Sequence, residues 1–95
     1  MELWKHSTLV SFYHRSIKGE CKVRIDGDKI VLSYEQHDGL TVYEGEEVAP
    51  GHFKLTCARK GGQATLHRVP GEDLIEGHWV EGHNQGMWRI LLKEK

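Results

Sequence analysis

Apolar and polar residues alternate along most of this chain, in short segments separated by glycine-containing stretches. Side chains of a β-strand point alternately to opposite faces of a sheet, so this alternation predicts strands that each bury one face. The predicted strands cover residues 8–17, 21–25, 29–35, 40–44, 52–58, 63–69, 74–80 and 87–92. No segment sustains the apolar period of an α-helix, so any helix is expected to be a single turn, at 2–7 or 46–50.

The more apolar face of each predicted strand defines the expected core. Its members are apolar or amphipathic, as a single buried face requires, and Arg68 is the charged exception on that face. The expected core residues are Val10, Phe12, Cys21, Val23, Ile25, Ile30, Leu32, Tyr34, Leu40, Val42, Phe53, Leu55, Cys57, Ala64, Leu66, Ile75, Trp79, Trp88, Ile90 and Leu92.

Glycines recur between the predicted strands, and glycine-containing turns of this kind join antiparallel strands as hairpins. The pattern therefore predicts an all-β fold in which eight antiparallel strands form an up-and-down meander and close into a small β-barrel. The alternative is a β-sandwich of two sheets. The length of 95 residues predicts a single domain over residues 1–95.

Two tryptophans lie on the last two predicted strands. The loop over residues 81–86 predicts that Trp79 lies opposite Trp88 and that a core-facing Gly77 lies opposite Ile90. A glycine in this position lets an indole ring lie over the bare backbone.

The segments Leu74–Trp79 and Gly86–Ile90 each contain a Gly-x-Trp pattern. They resemble strands of calycin-type barrels, in which lipocalins and avidins carry comparable Gly-x-Trp strands. The resemblance implies a calycin-like barrel and carries over no functional residue.

The charges of the chain nearly cancel, with 13 Lys and Arg against 14 Asp and Glu. A nucleic-acid-binding domain usually has a basic surface, so no nucleic-acid partner is expected. The apolar runs are shorter than the roughly 18 residues of a membrane helix, and the N-terminus lacks the apolar stretch of a signal peptide. We therefore expect no membrane partner and a cytoplasmic location.

Cys21 and Cys57 both belong to the predicted inward face and are expected to be buried free thiols. Burial makes a thiol a poor nucleophile, and no serine lies in a glycine-framed elbow that would expose its hydroxyl. No catalytic residue is therefore expected.

Histidines and a glutamate form a polar patch on the expected outer face. His67 is expected opposite Glu76, His78 shares the face of Glu76, and Arg89 is expected opposite His78. A metal site of His67, Glu76 and His78 would support a metal-assisted hydrolase or isomerase, which is the alternative function. The nearby arginine would repel a cation, so we expect a solvated polar face with no metal and no cofactor.

Small-ligand binding is the function that the pattern favours, as a non-enzymatic module for a small apolar or amphipathic molecule or a protein partner. An eight-stranded barrel either fills with side chains or holds one small ligand. Bulky inward residues predict a largely filled interior with a shallow pocket near one mouth. The expected ligand-binding residues are Tyr34, Arg68, Trp79 and Trp88. The alternative role of Arg68 is structural, with its side chain stacked on the Phe53 ring.

The outer face of the last three predicted strands has few charges. A contiguous apolar patch often marks a partner surface, so a homodimer through this face is expected. The apolar residues of this face are Val69, Leu74, Val80, Met87 and Leu91.

Overall fold

The computed structural model describes residues 2–12 and 16–93 of the chain. These residues form eight antiparallel strands: β1 (Glu2–Phe12), β2 (Ser16–Asp26), β3 (Lys29–Gln36), β4 (Gly39–Ala49), β5 (His52–Cys57), β6 (Gly62–Arg68), β7 (Leu74–Glu81) and β8 (Asn84–Leu91). Each strand pairs with the next in sequence, and β1 also pairs with β8, so the sheet closes into a barrel. The all-β barrel is confirmed and the sandwich alternative is wrong.

The boundaries of strands in the first half of the chain differ from the predicted ones. Residues 2–7 belong to β1 and residues 46–49 to β4, so the single-turn helices predicted there are wrong. The strand predicted over 8–17 combines the end of β1 with the start of β2, and its residues 13–15 lie outside the described residues. Both β1 and β4 are longer than their alternation indicated, because each continues through polar positions.

The core lies inside the barrel and consists mostly of the expected side chains. Ile25 and Tyr34 are half-buried members at its margin. The fully buried apolar members are Trp4, Leu9, Cys21, Val23, Ile30, Leu32, Tyr43, Phe53, Leu55, Cys57, Ala64, Leu66, Ile75, Trp79, Trp88, Ile90 and Leu92.

The predicted inward face of β1 is wrong. Val10 is half-buried and Phe12 is 40% exposed, whereas Trp4, Ser7 and Leu9 are buried. The pairing of β1 with β2 is irregular between Trp4 and Ser7, which shifts the alternation of inward and outward side chains by one residue. Inward positions are therefore even-numbered before the irregularity and odd-numbered after it.

The predicted inward face of β4 is also wrong. Leu40 is 55% exposed and Val42 half-buried, whereas Thr41 and Tyr43 are buried. The tight turn between β3 and β4 places Tyr43 opposite Leu32, and directly opposed residues share a face. Hairpin geometry therefore outweighs the greater hydrophobicity of Leu40 and Val42.

The hairpin of β7 and β8 has a shorter turn than expected. Glu81 pairs with Asn84 across the two residues Gly82 and His83, and Gly82 has φ +62°, a conformation that suits glycine in such turns. The predicted pairs of Trp79 with Trp88 and of Gly77 with Ile90 are therefore wrong by two residues.

The actual pairs of this hairpin are Trp79 with Gly86 and Gly77 with Trp88. A Cβ atom on Gly86 would lie 2.8 Å from the Trp79 indole, so that ring lies against bare glycine backbone. The shift of two residues keeps both tryptophans on the inward face.

The up-and-down topology gives the barrel two distinct ends. We call the end with the turns β3–β4, β5–β6 and β7–β8 the mouth end, and the opposite end the base. At the mouth end, Arg59 donates hydrogen bonds to the carbonyl oxygens of Leu40 at 2.7 Å and Asp38 at 2.5 Å. The Lys60 ammonium lies 3.6 Å from the Asp38 carboxylate, so residues 59–60 join two neighbouring turns.

Candidate functional site: a cavity at the mouth end

A cavity of about 350 Å³ lies at the mouth end, between the end of β1, the start of β2 and the ends of β3 and β7. Three of the four expected ligand-binding residues, Tyr34, Trp79 and Trp88, line it together. Its volume lies within the range of small-molecule sites in proteins. The structure thus brings the expected aromatic residues to one concave surface.

Tyr34, Trp79 and Trp88 line the cavity and belong to an aromatic cluster centred on Trp88, which Tyr43 completes from outside the cavity. The Tyr43 and Tyr34 rings meet Trp88 edge to face, with centroid distances of 5.0 Å and 6.1 Å. The Trp79 ring stacks on Trp88 at 6.3 Å, with 30° between the planes. Such ring pairs are favourable beyond the area they bury, so the cluster holds these rings in fixed orientations.

A partly buried hydrogen bond holds Tyr43 of this cluster in place. The Tyr43 hydroxyl donates to Oε2 of Glu81, which is the last residue of β7 and lines the cavity. Burial, and then the hydrogen bond to Glu81, raises the pKa of Tyr43 well above its usual value, so the phenol stays protonated and keeps donating.

Gly62 makes room for this hydrogen bond. It pairs with Glu81 across β6 and β7, and a Cβ atom on it would lie 2.1 Å from the Tyr43 hydroxyl oxygen. The close approach of the phenol to the carboxylate therefore requires a residue without a side chain at this position.

Tyr34 lies beside the same carboxylate. Burial, followed by the charge of Glu81, raises the pKa of Tyr34 far above its usual value. Its hydroxyl is therefore neutral across the physiological range. The mouth end thus presents neutral phenols and indoles around one half-buried carboxylate.

Arg68, the fourth expected ligand-binding residue, is at the end of β6 near the base. Its Nε donates to the carbonyl oxygen of Glu72 at 2.7 Å, and its Cζ lies 5.1 Å from the centroid of the Trp4 ring. The expected stack on Phe53 is wrong, because Phe53 pairs with Leu66. Arg68 covers a buried tryptophan and does not contribute to the mouth-end cavity.

The expected polar patch is present on the outer face, and His67 lies opposite Glu76 as predicted, but the side chains of the patch contact other residues. Nδ1 of His67 lies 2.7 Å from Nδ1 of His52 on the neighbouring strand. Arg89 lies opposite Glu76 and not opposite His78 as predicted, and its Nε donates to Glu76 at 2.8 Å. Within residues 2–12 and 16–93, no group of three or more His, Cys, Asp or Glu side chains could hold a metal ion.

Nε2 of His78, the third residue of that patch, lies 3.2 Å from Oε1 of Gln85. Gln85 is on β8, and the amide oxygen accepts a hydrogen bond when Nε2 carries the proton. The three residues proposed for a metal site therefore each have a different neighbour.

The two cysteines are buried and free, as predicted. Burial, and to a smaller extent the charge of Glu20, raises the pKa of Cys21 to about 12. A thiol with this pKa is almost wholly protonated near neutral pH, so it is a poor nucleophile.

Sequence reasoning missed Tyr43 and Glu81, whose hydrogen bond shapes the site. The predicted inward face of Leu40 and Val42 places Tyr43 outward, and the predicted loop over residues 81–86 includes Glu81. The signal for Tyr43 was the short His37-Asp38 turn, since the resulting hairpin places it on the face of Leu32. No local signal identified Glu81, because its role depends on a strand that is distant in sequence.

No helix that is long and apolar enough to cross a membrane occurs among the residues that the structure describes. No known family model, curated protein or solved structure matches this chain.

Proposed function

We propose that this protein is a non-enzymatic binding module that takes one small amphipathic molecule into the mouth-end cavity. The observation that carries the proposal is the meeting of Tyr34, Trp79 and Trp88 with the Glu81 carboxylate at one cavity. Small-molecule sites typically combine apolar and aromatic walls with a few polar groups that orient the ligand. Ligand binding at the end of a small calycin-like barrel is part of the same proposal.

The geometry of Gly19 offers a direct test. Gly19 lines the cavity and pairs with the buried Leu9, so a side chain at this position would share the inward face. No atom lies within 4 Å of a Cβ built there, and its φ is outside the left-handed region. Gly19→Phe should therefore be tolerated by the fold while filling the cavity.

The proposed measurement is a fluorescence titration with the neutral amphiphile N-phenyl-1-naphthylamine. We expect saturable binding to the native protein and its loss in Gly19→Phe. The control is Lys22→Phe, which adds the same ring to the exposed face of the same strand. The absence of saturable binding to the native protein would contradict the proposal, as would unchanged binding to Gly19→Phe.

The alternative function is a metal-assisted hydrolase or isomerase that uses His67, Glu76 and His78. It has less support, because Glu76 binds Arg89 and His67 contacts His52. Metal analysis of protein purified without a tag tests this alternative. A stoichiometric ion that is lost in His78→Ala would favour the enzyme.

A cytoplasmic location is part of the proposal. It is supported by the two buried free thiols, since cysteines persist in reduced form in the cytosol. Fractionation of cells that express the native chain tests the location, with the protein expected in the cytosolic fraction.

A further inference from the structure

The charged residues that the structure describes along the mouth-end cavity are predominantly acidic. Among the described residues that line it, the carboxylates are Glu20, Glu35 and Glu81, and Lys18 is the cation. Three negative charges against one positive charge leave a formal surplus of two negative charges. A concave surface lined by charges of one sign concentrates ligands of the opposite sign.

The most enclosed of these carboxylates is without a cationic partner in the part of the chain that the structure describes. Glu81 is half-buried, and it accepts a hydrogen bond from the neutral Tyr43 hydroxyl. Among residues 2–12 and 16–93, a neutral donor orients this negative charge, and no ammonium or guanidinium group forms an ion pair with it. Such a charge is available to a ligand that enters the cavity.

The aromatic residues favour the same sign of ligand. The faces of indole and phenol rings carry partial negative charge and attract cations, most strongly for tryptophan. Trp79, Trp88 and Tyr34 line the cavity together with Glu81. Aromatic rings around a carboxylate are a typical environment for an organic ammonium group, which is weakly hydrated and has an apolar outer surface.

We infer that the ligand of the mouth-end cavity is a small amphipathic organic cation, with its ammonium group between Glu81 and the aromatic rings. This inference rests on the proposed function and adds the charge class of the ligand. The apolar part of the ligand lies against Leu9 and Ile17, which line the cavity on the side of β1 and β2. A volume of about 350 Å³ fits a substituted ammonium group with a short apolar chain.

The electrostatics of Tyr34 agree with this inference. Its raised pKa reflects burial and the charge of Glu81, so the surroundings of its hydroxyl disfavour an added negative charge. The same burial and the same negative charge of Glu81 would disfavour an anionic head group in the cavity.

The test is a competition series with three amphiphiles that share one alkyl chain. Octyltrimethylammonium, 1-octanol and octyl sulfate are each used below micelle formation to displace N-phenyl-1-naphthylamine from the native protein. We expect the cation to bind about tenfold more tightly than the alcohol, with octyl sulfate the weakest. Equal displacement by cation and alcohol would overturn the charge inference and leave the proposed function intact. Failure of the fluorescent probe to bind would contradict the proposed function itself.

The variant Glu81→Gln assigns the preference to a residue. It removes the charge and keeps an oxygen that can accept from Tyr43, so it should abolish the advantage of the cation over the alcohol. The control Glu44→Gln removes one exposed carboxylate of β4 that does not line the cavity. An equal loss of the advantage in both variants would point to net charge alone and overturn the inference.

Glu35→Gln provides a second variant if Glu81→Gln does not fold. Glu35 is an exposed lining residue whose replacement leaves the contact between Tyr43 and Glu81 in place. A partial loss of the cation preference is expected, and an unchanged preference would contradict the inference.

A free organic cation and the head group of a choline lipid share this chemistry. A cavity of about 350 Å³ takes up the whole of a small molecule but only the head group of a lipid, so we assign the ligand as a free small molecule. In sedimentation with phosphatidylcholine vesicles the protein should remain in the supernatant. Binding to the vesicles would overturn the assignment to a free molecule.

Discussion

The hydrogen bond between Tyr43 and Glu81 determines the chemical character of the mouth end at the scale of single residues. It holds a carboxylate beside aromatic rings and keeps both groups in place. The bond depends on Gly62, where a side chain would collide with the phenol. A glycine of β6 thus permits the contact that orients the Glu81 carboxylate at the cavity.

Gly62→Ala tests this dependence. The added Cβ would lie 2.1 Å from the Tyr43 hydroxyl, so the phenol must move away from Glu81. We expect the free energy of unfolding to fall by about 1–3 kcal/mol, measured by urea denaturation. The matched control is Gly19→Ala, where no atom lies within 4 Å of the added carbon; its change should stay within about 0.5 kcal/mol. Equal losses in the two variants would show that contact with Tyr43 is not the cause.

Cys21 supplies a pH-dependent prediction. Its pKa of about 12 means that the native thiol reacts very slowly with Ellman's reagent at pH 8. In Cys57→Ala, which leaves Cys21 as the remaining cysteine, rapid reaction should appear only after denaturation. Fast reaction of the folded variant would contradict the burial of this thiol.

The same pKa has a consequence for stability. The unfolded thiol ionises near its ordinary pKa of 9.0, whereas the native thiol stays protonated up to about pH 12. The contribution of Cys21 to stability is therefore complete below pH 9 and decreases as the pH rises from there toward 12.

At the scale of strands, turn geometry and strand irregularities determine the inward face and the pairing register where hydrophobic patterning does not. Alternation correctly predicted the type of all eight strands, and it identified the inward face of most of them. It failed in β1, where an irregularity changes the parity, and in β4, where Tyr43 faces inward in place of Leu40. The predicted pairing of β7 with β8 is wrong by two residues. Registers that differ by two residues keep the same side chains inward, so the hydrophobic pattern does not distinguish them.

The candidate site was predictable to a similar extent. Tyr34, Trp79 and Trp88 were found from their position on inward faces near strand ends, which depends on local alternation. Glu81 was not found, because its contact with Tyr43 joins residues 38 positions apart in the chain. Contacts of this kind depend on barrel closure and register, which local patterns do not encode.

The hairpin of β7 and β8 should be the most sensitive element of the barrel. Trp88 is buried and contacts three other aromatic rings, so Trp88→Ala should destabilise the protein by about 3–5 kcal/mol. Its neighbour Met87 points outward and is 48% exposed. Met87→Ala should cost less than about 1 kcal/mol, and chemical denaturation of both variants compares them. Similar losses would contradict the assignment of Trp88 to the core.

At the scale of the whole molecule, the closed barrel has two distinct surfaces. One is the cavity at the mouth end, and the other is the outer face of the sheet. The outer face of β6, β7 and β8 and the segment that follows β6 include exposed apolar residues, as predicted. They are Val69, Val80, Met87 and Leu91, with Leu74 half-buried beside them. A homodimer through this face stays a prediction.

The dimer is tested by sedimentation velocity at neutral pH. A twofold contact would bury the same patch on both copies and should be lost in Leu91→Lys, which places a charge within it. The control Val48→Lys adds the same charge at an exposed apolar position of β4, away from the patch. A monomer at high protein concentration, or a dimer that persists in Leu91→Lys, would contradict the prediction.

The central claim is that a ligand enters the mouth-end cavity, and the three tryptophan indoles report on it directly. In a ¹H–¹⁵N correlation spectrum, titration with N-phenyl-1-naphthylamine should shift the indole signals of Trp79 and Trp88, which line the cavity. The signal of Trp4, buried at the base beneath Arg68, should remain in place. Unchanged signals for Trp79 and Trp88, or shifts centred on Trp4, would contradict the claim.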